Sequence, residues 1–465
     1  MGTTAISEVD SNLILIVFII LATTLFVTIQ KLWKSFGCKK VMLIFLFFSM
    51  LLSPFDGICA IGFSDKDPLI VGDDGFKTIS EAIRMASDGD KIIVKAGIYR
   101  EQLVIDKKLV LYGEGWERTI IETNGTLDAV VIVTNNVSVK GFTIRNLGEF
   151  AYSNGIRLTN ASNCLIEENL VEGKFIGIKL ENGSCSNIIR NNVLRNNHYG
   201  MFLMRRSSGN IIFNNSIINS GWNGVELAWY SNNNMFEANY IANSGAYGIE
   251  IPIYTPSYGN IIFHNNFLNN SLKNPFGKHA SDFFNNSWFF NSEGNFWDDN
   301  CFTEDCDKDG IGDVWYCINE EREVYDKFPL MGEFRCYNFL NETVSVISSS
   351  KLMSFNVTVY DESIINFFIC LIEEKPCGFL RLRFQQKLLT NITKLDSNVN
   401  LSVRRWIFAD NRYIYIEYTS GENLIHIYGI TEIPEFNSEA LFYTLLAVLI
   451  VLTYSYWGLH RNFGE

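Results

Sequence analysis

Two glutamates, Glu226 and Glu250, stand one repeat apart in a strongly periodic stretch, each two residues after a glycine. On stacked strands their side chains lie about 4.8 Å apart. Carboxylates that close resist joint ionisation, so one holds its proton to higher pH. A retaining glycosidase needs a carboxyl pair about 5–5.5 Å apart. Glu226 and Glu250, with Arg205 nearby, are therefore the candidates for acid–base catalysis, although any two stacked glutamates give this spacing and Arg205 with nearby lysines would instead neutralise them. The same columns are flanked by Trp222, Trp229, Tyr230 and Tyr254. Aromatic rings stack on the C–H faces of sugars while charged groups bond the hydroxyls. These four aromatics with Glu226 and Glu250 form a candidate carbohydrate-binding face; the competing reading is ordinary amphipathic cover of a long scaffold.

A second candidate is Asp305-Cys306-Asp307-Lys308-Asp309-Gly310-Ile311-Gly312-Asp313. Carboxylates at loop positions 1, 3 and 5 and glycine at 6 suit Ca²⁺, with the Ile311 carbonyl at position 7 and Asp313 at position 9 completing the set. Position 12 is Tyr316 rather than a bidentate glutamate, so Asp298 or Asp299 is the expected replacement. The expected role is structural, and the alternative is a solvated acidic turn.

The glutamates belong to five copies of a unit of 22 to 24 residues between Asn154 and Asn270, marked by Gly155, Gly177, Gly200, Gly224 and Gly248. Such a period means stacked repeats, and short Ile/Val/Leu strands broken by Gly and Asn mean one coil of a parallel β-solenoid per copy. One residue after each marker lie Ile156, Ile178, Met201, Val225 and Ile249; three after lie Leu158, Leu180, Leu203, Leu227 and Ile251. Period-2 alternation points both columns inward. A column of Asn169, Asn192, Asn215, Asn239 and Asn265 reads as a structural ladder of side-chain hydrogen bonds at a corner. Upstream, Thr78 to Glu81 forms a capping box for a short amphipathic helix that covers the open end of the stack.

Three apolar runs stand apart, at 12–29, 41–53 and 440–457. The first and third approach the length of a bilayer span, and the second suits a signal-peptide core. Lys31, Lys34, Lys39 and Lys40 place the loop between the first two runs inside, leaving residues 62–436 outside. This predicts an N-terminal signal or hydrophobic-helix region over 1–60 and a transmembrane helix at 440–457 as membrane anchor. Eleven Asn-x-Ser/Thr sequons, among them Asn160, Asn182 and Asn214, all fall in the external part. Eight cysteines in near pairs (Cys164/Cys185, Cys301/Cys306, Cys317/Cys336, Cys370/Cys377) suggest disulfides there. Residues 337–436 alternate without a repeat and read as a small β-sandwich stalk. The net charge of −13 over 465 residues argues against nucleic acid.

The run FKTISEAIRMASDGDKIIVKAGIYREQLVIDKKLVLYGEGWERTII, followed by Gly/Asn repeats and by GNFWDDN, DKDGIGDVWYCI and DKFPLM, resembles the pectin-lyase-like right-handed β-helix proteins, and among them the NosD-like group common on archaeal surfaces. The resemblance covers about 66–331, and it implies an all-β, right-handed parallel β-helix over 62–331 that is carbohydrate-associated. The ending GITEIPEFNSEALFYTLLAVLIVL resembles the stalks of archaeal surface proteins. The chain carries no catalytic motif of pectate lyases, polygalacturonases or alginate epimerases. The NosD name implies copper delivery, but the five histidines form no cluster with Met or Cys at ligand spacing. The expected protein is a membrane-anchored, extracellular β-helix that binds glycans or builds the surface coat. A polysaccharide lyase or glycoside hydrolase is the alternative, and copper handling is a third reading.

Overall fold

The computed structural model describes residues 66–430, apart from 126, 147–151, 273–276, 285, 301–303, 340–341, 361–363 and 389–390. The apolar runs at 12–29, 41–53 and 440–457 lie outside the described residues. Among the described residues no helix is long and apolar enough to cross a membrane.

Three parallel sheets wind around one core. The first has nine strands, from Leu69–Val71 to Ile261–Phe263, and the second nine, from Gly97–Arg100 to Phe296–Trp297. The third has eight, from Leu103–Ile105 to Ala280–Asp282, and carries the candidate face. The repeat thus builds one coil per copy, as expected. Both predicted inward columns are fully buried, from Ile156 to Ile249 and from Leu158 to Ile251. Each such aliphatic side chain contributes roughly 1.5–3 kcal/mol by leaving water.

The marker glycines are required by packing. A Cβ on Gly177 would lie 2.5 Å from the carbonyl oxygen of Gly200, and one on Gly224 2.6 Å from that of Gly248. The coils therefore approach backbone to backbone beside the third sheet, where no side chain fits.

The Asn column is a continuous ladder. Each Asn Oδ1 accepts from the backbone N–H and the side-chain NH₂ of the Asn one coil earlier: Asn192 from Asn169 at 3.1 and 3.1 Å, Asn215 from Asn192 at 3.0 and 3.0 Å. It runs on through Asn239 and Asn265 to Asn295, whose backbone N–H donates to buried Asp326. A second ladder, Asn187, Asn210, Asn234, Asn260 and Asn286, obeys the same geometry at another corner. Sequence reasoning missed it, although the same period marks it.

The helix Ile79–Met85 buries Ile79, Ala82 and Ile83 against the first coils. Thr78 Oγ1 accepts from the Glu81 N–H as the capping box predicts, and the Glu101 carboxylate from the coil above accepts from the first-turn N–H groups of Ile79 and Ser80. Lys107 closes the other end by donating to the carbonyls of Ile83, Arg84 and Ala86.

Beyond the solenoid, the strands read as a two-sheet sandwich form one antiparallel sheet of seven strands. Two long strands, Ile364–Gln385 and Asn411–Ile430, run through it side by side, with a register irregularity between Glu373 and Cys377. Before that point Ile364–Gln385 also pairs with Lys351–Tyr360, and after it with Glu342–Ser348. Residues from both halves, such as Phe367 and Leu382, share one apolar core. The sheet thus folds over on itself, and alternation alone does not distinguish that from two separate sheets.

No disulfide joins any of the seven described cysteines, which corrects the disulfide expectation for them. Buried Cys164 stacks on Asn187, two columns away from Cys185, which stacks on Ser162. Cys370 and Cys377 sit on the same strand, across from Leu424 and Thr419, too far apart to join. Cys317 and Cys336 are likewise unjoined, and Cys301 lies outside the described residues.

Candidate carbohydrate-binding face

The third sheet stacks Arg157, Lys179, Phe202, Glu226, Glu250 and Ser281 in one outward column. Its two halves differ. Arg157 pairs with Asp128 at 2.6 Å and Glu181 at 3.1 Å, and Lys179 with Glu181 at 2.9 Å, so the basic half neutralises itself. Glu226 and Glu250 are bridged instead by the amide of Asn223, whose Nδ2 donates to Glu226 at 3.1 Å and to Glu250 at 2.6 Å. Sharing one donor keeps the two carboxyl oxygens within about 6 Å of each other, inside the strand-neighbour geometry expected. Burial pushes Glu226 up to about 7, with the Glu250 charge adding to it; burial also raises Glu250, against the Asn223 hydrogen bond. The Tyr199 phenol beside them is pushed up to about 12 by burial and by both carboxylates.

Arg205 does not join this pair. It occupies the corner after the third sheet, with Arg206, Trp229 and Tyr230, and neither arginine has an ion pair among the described residues. The convergence of Glu226, Glu250 and Arg205 that the enzyme alternative requires is absent: the strand ends at Leu203, and Arg205 lines the corner cavity instead.

The aromatics form a track across the sheet. Tyr152 contacts Phe175 at 4.8 Å, Phe175 stacks on His198 at 4.9 Å, and Tyr199 contacts Phe202 at 5.6 Å. Phe202 in turn lies nearly parallel to Trp229 at 6.3 Å. Trp222 sits at the entry edge, its backbone N–H donating to the His198 carbonyl. Trp229 and Tyr230 sit at the exit edge, and Tyr254 beyond them is 89% exposed. The four predicted aromatics thus flank the glutamates on two edges rather than forming one patch, with Phe202 between them in the outward column and Tyr199 beside it, which the sequence reading did not name. Trp229 and Tyr230 are 43% and 51% exposed on φ of 50° and 63°, and Arg205 and Arg206 have φ of 55° and 67°. Non-glycine residues in this left-handed region cost about 1–2 kcal/mol each. The same left-handed turn stands at this corner in the preceding coils, at Asn160 and Asn182, where asparagine adopts it readily.

At the acidic loop, Asp305, Asp307 and Asp309 bring ligand oxygens within 4.8 Å of one another. Asp305 accepts from the backbone N–H of Asp309 and Gly310, and Asp309 from that of Ile311. Asp313 is turned to the Cys306 N–H at 2.8 Å and is not in the cluster. Asp298 and Asp299 do not complete it either. They meet buried His279, whose Nε2 is 2.8 Å from Asp298 and 3.4 Å from Asp299. Asn270 fixes that imidazole: its Oδ1 accepts from the Ser244 N–H while its Nδ2 donates to the Ile241 carbonyl and to His279 Nδ1. With Nδ1 an acceptor, Nε2 carries the proton and is committed to Asp298.

The fold is a parallel β-helix carrying an antiparallel sheet at its C-terminal end, with aromatics and carboxylates on one face. Residues 83–301 match the family model described as periplasmic copper-binding protein (NosD), and the solenoid of this chain is NosD-like. A cell surface glycoprotein of Methanothermus fervidus is 34% identical over 103 residues, which is 22% of this chain and 16% of that protein. A probable pectinesterase/pectinesterase inhibitor of Arabidopsis thaliana is 33% identical over 112 residues, 21% of this chain and 22% of that one. The chain spans less than a quarter of the length of either relative. Among solved structures, a mannuronan C-5 epimerase A-module from Azotobacter vinelandii aligns at 12% identity and TM-score 0.30, over 47% of this chain and 84% of that one. A GH87 α-1,3-glucanase from Streptomyces thermodiastaticus aligns at 17% and 0.35, over 47% and 50%.

Copper does not fit the donors present. The two clusters of potential ligands among the described residues offer five carboxylates and one imidazole. Those are mostly hard donors, the imidazole is already committed, and Met201 is core.

Proposed function

We propose that this protein is an extracellular, membrane-anchored β-helix that binds carbohydrate on its third sheet. The observation that carries the reading is the aromatic track ending in exposed Trp229 and Tyr230. An exposed run of rings beside hydrogen-bonding side chains is the surface a sugar chain needs. The likeness to a cell surface glycoprotein supports the location, and the apolar run at 440–457 supplies the anchor. The test is a glycan-array screen of the purified full chain, with released products followed by mass spectrometry. Retention lost at least tenfold in Trp229→Ala supports binding; retention unchanged in both Trp229→Ala and Trp222→Ala refutes it.

The raised Glu226 carboxyl favours one rival, a polysaccharide-cleaving enzyme. A general acid near neutral pH needs such an environment. Product release that disappears in Glu226→Gln would establish that rival, and retention without release refutes it. The Asp305–Asp307–Asp309 cluster is proposed as a structural Ca²⁺ site. Calcium titration is expected to raise the melting temperature of wild type but not of Asp307→Asn; an equal rise in both refutes the site.

A further inference from the structure

One column at the exit corner of the third sheet reads, coil by coil, Asn160, Asn182, Arg205 and Trp229. The register follows from the pairing of Thr159 with Glu181 and of Leu180 with Leu203, and Leu203 with Leu227. Asn160 and Asn182 both begin sequons, Asn160-Ala161-Ser162 and Asn182-Gly183-Ser184. Asn182 also lines an open cavity of about 670 Å³ with Gly183, Arg205, Arg206, Trp229 and Tyr230. Backbone bonds hold these turns one above the next: the Gly183 N–H donates to the Arg205 carbonyl, and the Arg206 N–H to the Trp229 carbonyl, both at 2.9 Å. The acceptor nitrogen is therefore built into the wall of the cavity that carries the aromatic platform.

We propose that Asn182 is glycosylated and that its glycan lies in this cavity, across Arg205 and Arg206, with a sugar ring stacked on Trp229 or Tyr230. Three features carry this. First, Asn182 is exposed, and its Nδ2 makes a single contact, donating to Thr159 Oγ1 at 3.0 Å. Substitution at that nitrogen leaves one N–H to keep the bond. Second, Gly183 opens the path: a Cβ there would meet nothing within 4 Å. Third, the reach is right. Asn182 and Trp229 are two coils apart, about 10 Å at strand spacing, a span that a short oligosaccharide covers. The guanidinium groups between them donate to hydroxyl or carboxylate oxygens on the way.

The attachment step uses a polyprenyl-phosphate-linked oligosaccharide. A bond forms between Asn182 Nδ2 and the anomeric carbon, and the bond from that carbon to the phosphate oxygen breaks. The lipid phosphate leaves with the electron pair, and one amide proton passes to base. The inference rests on the proposed sugar-binding character of the face, but it names a different occupant: the chain's own glycan. It also gives the strained turns a purpose, since Asn182–Gly183 adopts the left-handed corner easily while Arg205–Arg206 and Trp229–Tyr230 do so at a cost.

The experiment is glycopeptide mass spectrometry on the full chain from its native host, followed by mild periodate oxidation of the folded protein. Asn182 is expected to carry a glycan whose diols oxidise at least threefold more slowly in wild type than in Trp229→Ala, with Trp229→Phe retaining the protection. Other occupied sequons serve as references and are expected to oxidise equally in all three. An unmodified Asn182 overturns the proposal, as does a glycan that oxidises equally fast in wild type and Trp229→Ala. Glycan-array retention by Asn182→Gln separates the two readings. Retention in that variant, with no protection at the Asn182 glycan of wild type, leaves the face a binding site for external sugar and refutes self-occupancy alone. Protection together with stronger array retention in Asn182→Gln than in wild type supports self-occupancy.

Discussion

Replacing Glu226 with Gln tests the electrostatics of the candidate face directly. Burial and the neighbouring Glu250 hold the Glu226 carboxyl at about 7 against an ordinary value of 4.5. A carboxyl whose pKa rises on folding stabilises the protein fully below its unfolded value, and that contribution fades as pH rises through the folded value. The window is therefore about pH 4.5 to 7, with stability falling as pH rises. At about 1.4 kcal/mol per pH unit the interval amounts to roughly 3 kcal/mol, an upper figure because the side chains are partly solvated. Glu226 and Glu250 titrate as a coupled pair, so the measured midpoint belongs to both. Buried Asp326 is also raised to about 7 and slopes the wild-type curve the same way. The informative quantity is thus the difference between wild type and Glu226→Gln in urea denaturation at pH 5 and pH 8. Gln mimics the protonated carboxyl and keeps its contact with Asn223 through its amide oxygen. The variant is expected to lose about 1–3 kcal/mol less than wild type between the two pH values. Equal pH dependence in both would refute the reasoning, because Glu226 would then ionise in the folded state as freely as in the unfolded chain.

Asn215→Ala removes the acceptor of the Asn192 backbone N–H and a donor to the Ile189 and Phe213 carbonyls. Buried unsatisfied groups cost about 1–3 kcal/mol each, so a loss of roughly 2–4 kcal/mol is expected in urea denaturation, and a loss under about 0.5 kcal/mol would refute the ladder's role. Gly224→Ala is expected to be at least as harmful, because its Cβ would collide with the Gly248 carbonyl and with Ile241. Circular dichroism of soluble protein checks this. Glu293 is buried between the solenoid and the antiparallel sheet, where it meets Arg381, Arg383 at 2.7 Å and His264 at 2.6 Å. The arginine charges hold its carboxyl well below the usual range despite burial. Glu293→Ala leaves two guanidinium groups without their anion and is expected to cost about 3–5 kcal/mol, with faster proteolysis near residue 330; resistance equal to wild type would show that this cluster does not hold the two parts together.

The solenoid was legible because its physics repeats. A buried column, an Asn ladder and a close glycine contact recur once per coil, so five copies state the same constraint five times. The capping helix was legible from Thr78 to Glu81 for a local reason, a side chain bonding three residues along. What the sequence hid depends on single, non-repeating contacts. Glu293 and Arg381 are far apart in the chain, and no period connects them. The bending of Ile364–Gln385 depends on one register irregularity at Glu373–Cys377, and alternating residues look the same on either side of it. Near pairs of cysteines misled because sequence proximity is not proximity across coils. Arg205, read as a neighbour of the glutamates, stands instead at the corner beside Trp229 and Tyr230, since the left-handed turn that carries it there leaves no mark in residue type.

The candidate face owes its character to what the solenoid does with charge. Stacking places every outward residue about 4.8 Å from its counterpart, so like charges in one column must be screened, paired or protonated. The early coils pair theirs: Arg157 and Lys179 share Glu181 and Asp128. The later coils leave Glu226 and Glu250 without a cation and offset their repulsion with one amide and retained protons. Between the two lies Phe202, stacked toward Trp229. A long scaffold needing only solubility has no use for an unpaired carboxyl column beside exposed rings, since one lysine in place of Phe202 would neutralise it. Phe202→Lys is accordingly expected to lower the Glu226 pKa and to weaken sugar retention together. A lowered pKa with retention intact would show that the rings at the corner bind sugar without the carboxyl pair.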